Sequence, residues 1–174
     1  MYHLLRKELL LFIISGVFIF IISCADKNKW ATKINWTDLD LADIPSQAEF
    51  PDEPAIILSD DGRMEIFGDP EKGFSYFERH KIIKVLNIRG HRYANIVLPY
   101  YPDAQIENIH ARTIKPSGEI VVLDKDDIFD VNLYPNFVFY SDQRAKIFTM
   151  PGIENGAIIE YKYSVSIRKR TLWH

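Results

Sequence analysis

Cysteine is what this chain has least of. Cys24 is its only one in 174 residues, so no disulfide can form within a molecule and a disulfide-stapled scaffold is excluded. Because Cys24 precedes the folded body, a cysteine nucleophile inside that body is excluded too. A basic surplus is also missing. Lys and Arg number 21 against 24 Asp and Glu, a formal net charge of −3, and no stripe of cations is available to follow a phosphate backbone, so no nucleic-acid partner is expected. The GxSxG elbow of the α/β-hydrolases is absent, and strands do not alternate with helices as that fold requires. A triad assembled from distant residues stays open, since its members need not be neighbours in sequence. His80, His91 and His110 show no HExxH and no paired spacing that would set two imidazoles on one metal. Each is expected as a hydrogen-bonded or surface imidazole. No metal and no cofactor are expected, and no repeat or low-complexity tract is visible.

What is present begins with grease. Arg6 and Lys7 form a short positive head, and Leu9–Ile22 reads LLLFIISGVFIFII. That run is shorter than the roughly 20 residues a spanning helix needs, and it has the layout of a secretory signal. It ends in Ile21-Ile22-Ser23-Cys24, which resembles the lipobox of bacterial lipoproteins, where a small residue precedes the cysteine that takes the lipid. Residues 1–23 are therefore read as a signal peptide and Cys24 as the lipidation site; an uncleaved anchor helix is the alternative. Either would tie the chain to a membrane, and more than one acyl chain would hold it firmly. Ala25, in place of the aspartate that retains lipoproteins at the inner membrane of enteric bacteria, favours the outer membrane. Residues 24–53 read as a tether with a short packing segment, in which Thr37 is placed to cap a helix over Asp38–Ala42 before Pro45. Trp30 and Trp36 are expected to lie on the domain.

From Pro54 the texture changes to short apolar runs broken by turn signals, the pattern of an all-β domain. Thirteen per cent aromatic residues suits such an interior. The expected strands are Ala55–Ser59 and Arg63–Phe67 about an Asp60-Asp61-Gly62 turn, a long irregular Phe74–Asn87, His91–Leu98 closed by Pro99 and Pro102, and Gln105–Lys115 with Glu119–Leu123 about Pro116-Ser117-Gly118. Lys125–Val131 reads as one helical turn or a loop, and Phe137–Tyr140 leads on to Ala145–Met150 and Ala157–Arg168. The last two are expected to form the central hairpin. In the final run Ile159, Tyr161, Tyr163, Val165 and Ile167 share one side, and Glu160, Lys162, Ser164, Ser166 and Arg168 share the other. That alternation predicts one buried and one wet face, with Ile158 out of place. The fold class is mainly β, an antiparallel β-sandwich over residues 54–170 preceded by the hydrophobic signal or anchor helix. Residues 171–174 read as a cut-short tail, with nothing obvious for Trp173 to pack against.

Few residues point to chemistry. Asp124, Asp126, Asp127 and Asp130 are the best metal candidates. A calcium loop wants glycine and glutamate where Phe129 and Pro135 stand, so helix capping is the better reading. Tyr100 and Tyr101, beside Pro99 and Pro102, form an aromatic loop tip that suits a glycan or a partner. Arg168-Lys169-Arg170 reads as a solvated strand end.

The succession ARTIKPSGEIV (Ala111–Val121), DDIFDV (Asp126–Val131), YSD (Tyr140–Asp142) and MPGIENGAIIEYKY (Met150–Tyr163) resembles a bacterial domain of uncharacterised role. That domain usually lies ahead of a transglutaminase-like core in secreted or lipid-anchored proteins. The likeness runs from about Pro54 to Arg168, and none of the core's Cys-His-Asp constellation has a counterpart here. Tyr140, Asp142, Arg144, Pro151, Gly152, Gly156 and Glu160 are its motif residues, read as structural, with Asp142 and Arg144 forming an ion pair or a loop-fixing hydrogen bond. The resemblance implies a non-catalytic envelope module that supports or recruits another protein or a transglutaminase-like domain. The alternatives are the front part of such an enzyme and a glycan- or peptide-binding sandwich.

Overall fold

A computed structural model of the chain describes residues 36–68, 73–133 and 142–168. The signal or anchor segment, Cys24, Trp30, Phe137–Tyr140, Lys169, Arg170 and the tail lie outside the described residues. Within them the strands are β1 (Ala55–Phe67), β2 (Phe74–Val85), β3 (Asn95–Tyr100), β4 (Ala104–Ile114), β5 (Ile120–Val122), β6 (Phe129–Asn132), β7 (Arg144–Thr149) and β8 (Ile158–Arg168). Short 3₁₀ turns cover Ile88–Ala94 and Lys125–Asp127. Five strands form one sheet in the order β1-β2-β8-β4-β5, three form another in the order β3-β7-β6, and every pairing is antiparallel. Among the described residues no helix is long and apolar enough to cross a membrane.

The two sheets share a core. Ile83, Val85, Ile159 and Tyr161 of the large sheet meet Ile96, Leu98 and Phe148 of the small one, and the buried Met150 belongs to the same cluster. Phe148 meets the Tyr161 ring edge-on at 6.4 Å, a favoured aromatic arrangement. On the other face of the large sheet, Ile82, Ile114 and Ile158 form a second, smaller core with Leu39, Ile44 and Leu58 packed on it. Ile158 therefore has its own apolar home. The expected wet face of β8 is wet only towards its far end, since Ile158, Glu160 and Ser164 are all buried.

Several sequence expectations give way. Asp60-Asp61-Gly62 is not a turn; β1 runs straight through it, opposite Lys81, His80 and Arg79. Arg79 clamps Asp60 with bonds of 2.7 and 2.8 Å, and Lys81 adds a third contact at 3.0 Å. Gly62 is there for space, because a Cβ would come within 3.1 Å of the Phe77 ring. The irregularity expected in β2 falls instead on its neighbour, as a bulge between Ile57 and Ser59. A second bulge interrupts β4 between Glu107 and His110, with Asn108 at φ 53°.

His91 is not in a strand. Asn87 Oδ1 accepts from the Arg89 N–H at 3.0 Å, a cap that starts a 3₁₀ turn and delays β3 to Asn95. Pro99 does not end β3. Among the described residues the strand has one neighbour, β7, and an edge strand tolerates a missing N–H. Asp38–Ala42 forms no helix; the Asp40 carboxylate accepts from Ala42 N at 3.0 Å, the local bonding by which aspartate competes with helix. β7 and β8 form no hairpin. They belong to different sheets, and the link between them crosses over, held where Gly156 N donates to Val85 O and Val85 N to Ala157 O. The Pro116-Ser117-Gly118 connection is a tight turn as expected, with Gly118 at φ 86°.

Candidate functional site

β8 is the middle strand of the large sheet, and at its buried end stands a carboxylate. Glu160 is 0% exposed. On one side His80 Nε2 of β2 lies 2.8 Å from Oε1; on the other Arg112 Nε of β4 donates to Oε2 at 2.7 Å. The register explains the meeting: Glu160 is opposite both Ile82 and Arg112, and His80 is one rung along, opposite Lys162. A buried carboxylate is tolerable only when its oxygens are answered by donors and countercharge. Here both are taken. Three adjacent strands are thus pinned by one buried carboxylate set between an imidazole and a guanidinium.

Next to this pin the same face stays polar. His80, Lys162 and His110 lie side by side on β2, β8 and β4. Burial, with Lys125 nearby, lowers the pKa of His110. At the β4 bulge Asn108 Nδ2 donates to Ser164 Oγ at 2.9 Å, and that hydroxyl donates to the Glu107 carbonyl at 3.1 Å. Burial pushes the Tyr161 phenol up to about 12, which keeps it protonated. Thr113 Oγ1 is buried with no hydrogen-bond partner among the described residues.

A second polar cluster lies on the small sheet. Arg144 Nε donates to Asp130 Oδ1 at 3.0 Å, Arg144 Nη1 to Asn132 at 2.8 Å, and Lys146 reaches Asp130 at 2.9 Å. Tyr100 donates to the same carboxylate at 2.8 Å. Burial would raise the Asp130 pKa, but the bonds from Lys146, Tyr100 and Arg144 outweigh it and leave it lowered. Arg144 therefore bridges strands through Asp130, and the pairing with Asp142 gives way to that. The acidic cluster is divided likewise: Asp124 caps its 3₁₀ turn by accepting from Asp126 N at 3.0 Å, while Asp130 is held on the small sheet. No group of three or more metal-binding side chains occurs among the described residues.

Pro151, Gly152 and Gly156 of the motif sit in the β7–β8 crossover. Gly152 and Gly156 take φ of 64° and 83°, a region that favours glycine. A Cβ on Gly152 would meet Val121 at 3.1 Å, and one on Gly156 would meet Pro116 at 3.1 Å, so the crossover lies tight on the β4–β5 turn. Of Tyr100 and Tyr101, the first is drawn into the small sheet and the second is exposed. His91 Nε2 contacts Asn155 Oδ1 at 2.9 Å. A shallow cleft of about 280 Å³ lies between Phe74, Pro102, Asp103, Gln105, Ser166 and Arg168. Alternation along β8 predicts a solvated Glu160, and neither of its partners is near it in sequence. The available signal was Arg112 in the run Ala111–Ile114, a cation among small and apolar neighbours.

Such a chain is a β-rich domain of two antiparallel sheets, the larger of them tied across three strands by His80, Glu160 and Arg112. Residues 71–172 match the family described as "Domain of Unknown Function with solved-structure structure (DUF3857)". The chain belongs to that family. Among solved structures it is similar to a "putative protease" from Parabacteroides distasonis, with a TM-score of 0.51 and 18% sequence identity. The match covers 56% of this chain and 20% of that one, so the chain spans a minor part of the larger protein's length. At that identity the likeness bears on the fold alone. No curated protein matches the chain.

Proposed function

We propose that this chain is a non-catalytic module of the bacterial cell envelope, a β-sandwich that supports or recruits another domain or protein. The observation that carries this reading is the closed state of Glu160. A general acid or base needs an oxygen open to substrate, and both oxygens of this carboxylate are engaged by His80 and Arg112 in a fully buried position. The resemblance of the crossover and β8 motifs to domains ahead of transglutaminase-like cores supports such a core as the partner. The hydrophobic leader and Cys24 support a lipid anchor, with the outer membrane favoured.

The test has two arms. The purified chain, titrated with a transglutaminase-like domain from the same envelope, is expected to bind saturably while reacting with no panel of serine- or cysteine-directed activity probes. Persistent probe labelling abolished by one substitution would make the chain an enzyme and overturn the reading. Labelled palmitate is expected to enter the wild type and not Cys24→Ser; equal labelling of both rejects the anchor.

A further inference from the structure

Among the described residues β1 is the outer strand of the large sheet, paired with β2 on one side only. Its stretch from Asp60 to Met64 is exposed, and so are the apolar side chains of Ile57, Ile66 and Phe67. A long exposed edge is a row of N–H and C=O groups able to pair with another strand. The order of charges along the edge decides which strand fits.

Residues 59–65 read Ser-Asp-Asp-Gly-Arg-Met-Glu. Laid antiparallel on a second copy with Gly62 opposite Gly62, Asp61 faces Arg63 on both sides of a two-fold axis. Ser59 then faces Glu65 and Asp60 faces Met64, and no like charges meet. Sliding two residues one way sets Asp61 against Asp61, and the other way Arg63 against Arg63. A slide of one residue turns the faces of the second sheet over, which the two-fold axis does not allow. A slide that sets Arg63 against Glu65 brings the charged Asp61 against the apolar Phe67, whereas in the centred register Arg63, which bridges Glu65 of its own chain at 2.5 Å, lies between that carboxylate and Asp61 of the second copy. Asp60 is occupied by Arg79 and Lys81, whereas Asp61 has only the neighbouring Ser59 hydroxyl as a hydrogen-bond donor among the described residues. On the axis Gly62 presents bare backbone, with the Phe77 ring lying against it; an aromatic ring over a strand glycine is a stabilising arrangement.

We propose that the chain pairs with a second copy of itself, edge to edge along residues 59–65 of β1 in the register centred on Gly62, joining two large sheets into one. The symmetry is the isologous kind that closes as a dimer and does not propagate.

The experiment measures protein mass per particle for the full chain in density-matched detergent, by sedimentation equilibrium over a range of concentrations. Two chains per particle are expected. Arg63→Asp and Asp61→Arg each place like charges opposite one another twice, and each should weaken dimerisation by about tenfold or more. The double variant Asp61→Arg with Arg63→Asp restores opposite charges in the same register and should recover the dimer. Both side chains are exposed, so the circular dichroism of every variant should match wild type and separate lost pairing from lost fold. A wild type with one chain per particle throughout, a dimer indifferent to both single reversals, or a double variant no better than the singles would each overturn the proposal.

Discussion

Glu160 is the residue on which the large sheet turns. Its carboxylate is fully buried, and the Arg112 side chain that answers it is 10% exposed. Replacing the anion by its neutral isostere leaves the guanidinium buried without that countercharge, a loss of the kind that costs about 3 kcal/mol or more. Glu160→Gln should therefore lower the denaturant midpoint strongly at unchanged slope, and a cost below about 1 kcal/mol, the surface-pair range, would show that the triad is not a pin. Asp60 offers a test of sign. The Arg79 hydrogen bonds, opposed by burial and reinforced by Lys81, hold its carboxyl well below the usual range. A folded pKa below the unfolded one, ~3.9, means stability that is fully present above the unfolded value and lost as pH falls through the folded one. The stability difference between wild type and Asp60→Asn should be constant from neutral pH down to about pH 5 and shrink on further acidification. Urea midpoints across that range read it out; an undiminished gap at pH 3 would remove Asp60 from the acid response.

At the scale of elements, the strands that could be read in the sequence were those whose turns require a special backbone. Gly118 sits at φ 86°, and the Pro116-Ser117-Gly118 turn and its two strands stand where the pattern puts them. Gly62 was misleading because it looks the same in sequence while serving another need: it leaves room for Phe77 inside a continuous strand. Gly90 is a third case. A Cβ there would come within 2.1 Å of the Pro54 carbonyl oxygen, so the 3₁₀ turn lies hard against the start of β1, a tertiary contact with no local trace. Periodicity found β8 to within a residue but could not say what covered each face. Ile158 was the only sign that both faces are covered. The triad was illegible for the same reason: alternation puts Glu160 and Arg112 each on a polar side, and only the pairing of β2, β8 and β4 reveals that those sides coincide.

For the whole molecule, the consequence is a large sheet with a core on each face. The main one lies under the small sheet; the lesser one is closed by Leu39 and Ile44, which precede the first strand, and by Leu58 at the bulge of β1. The bulge matters here, because the extra residue frees Leu58 from a rung of the ladder, and its side chain packs on Ile82, Ile114 and Ile158. The segment that the sequence suggests is a tether is thus, from Leu39 on, part of the folded body. Ile158→Ala should cost about 2–4 kcal/mol, close to the loss for a core isoleucine, where a strand with one wet face would make it nearly free. Ile44→Ala should cost less, since Ile44 is only partly buried, and the two losses should not add: residues sharing one small core are expected to couple by about 0.5 kcal/mol or more. A double-mutant cycle from urea unfolding measures the coupling. Strict additivity would mean that the leading segment rests on the sheet without sharing its core, and the second face of the large sheet would then be held by Leu58 and the bonds to Glu160 without it.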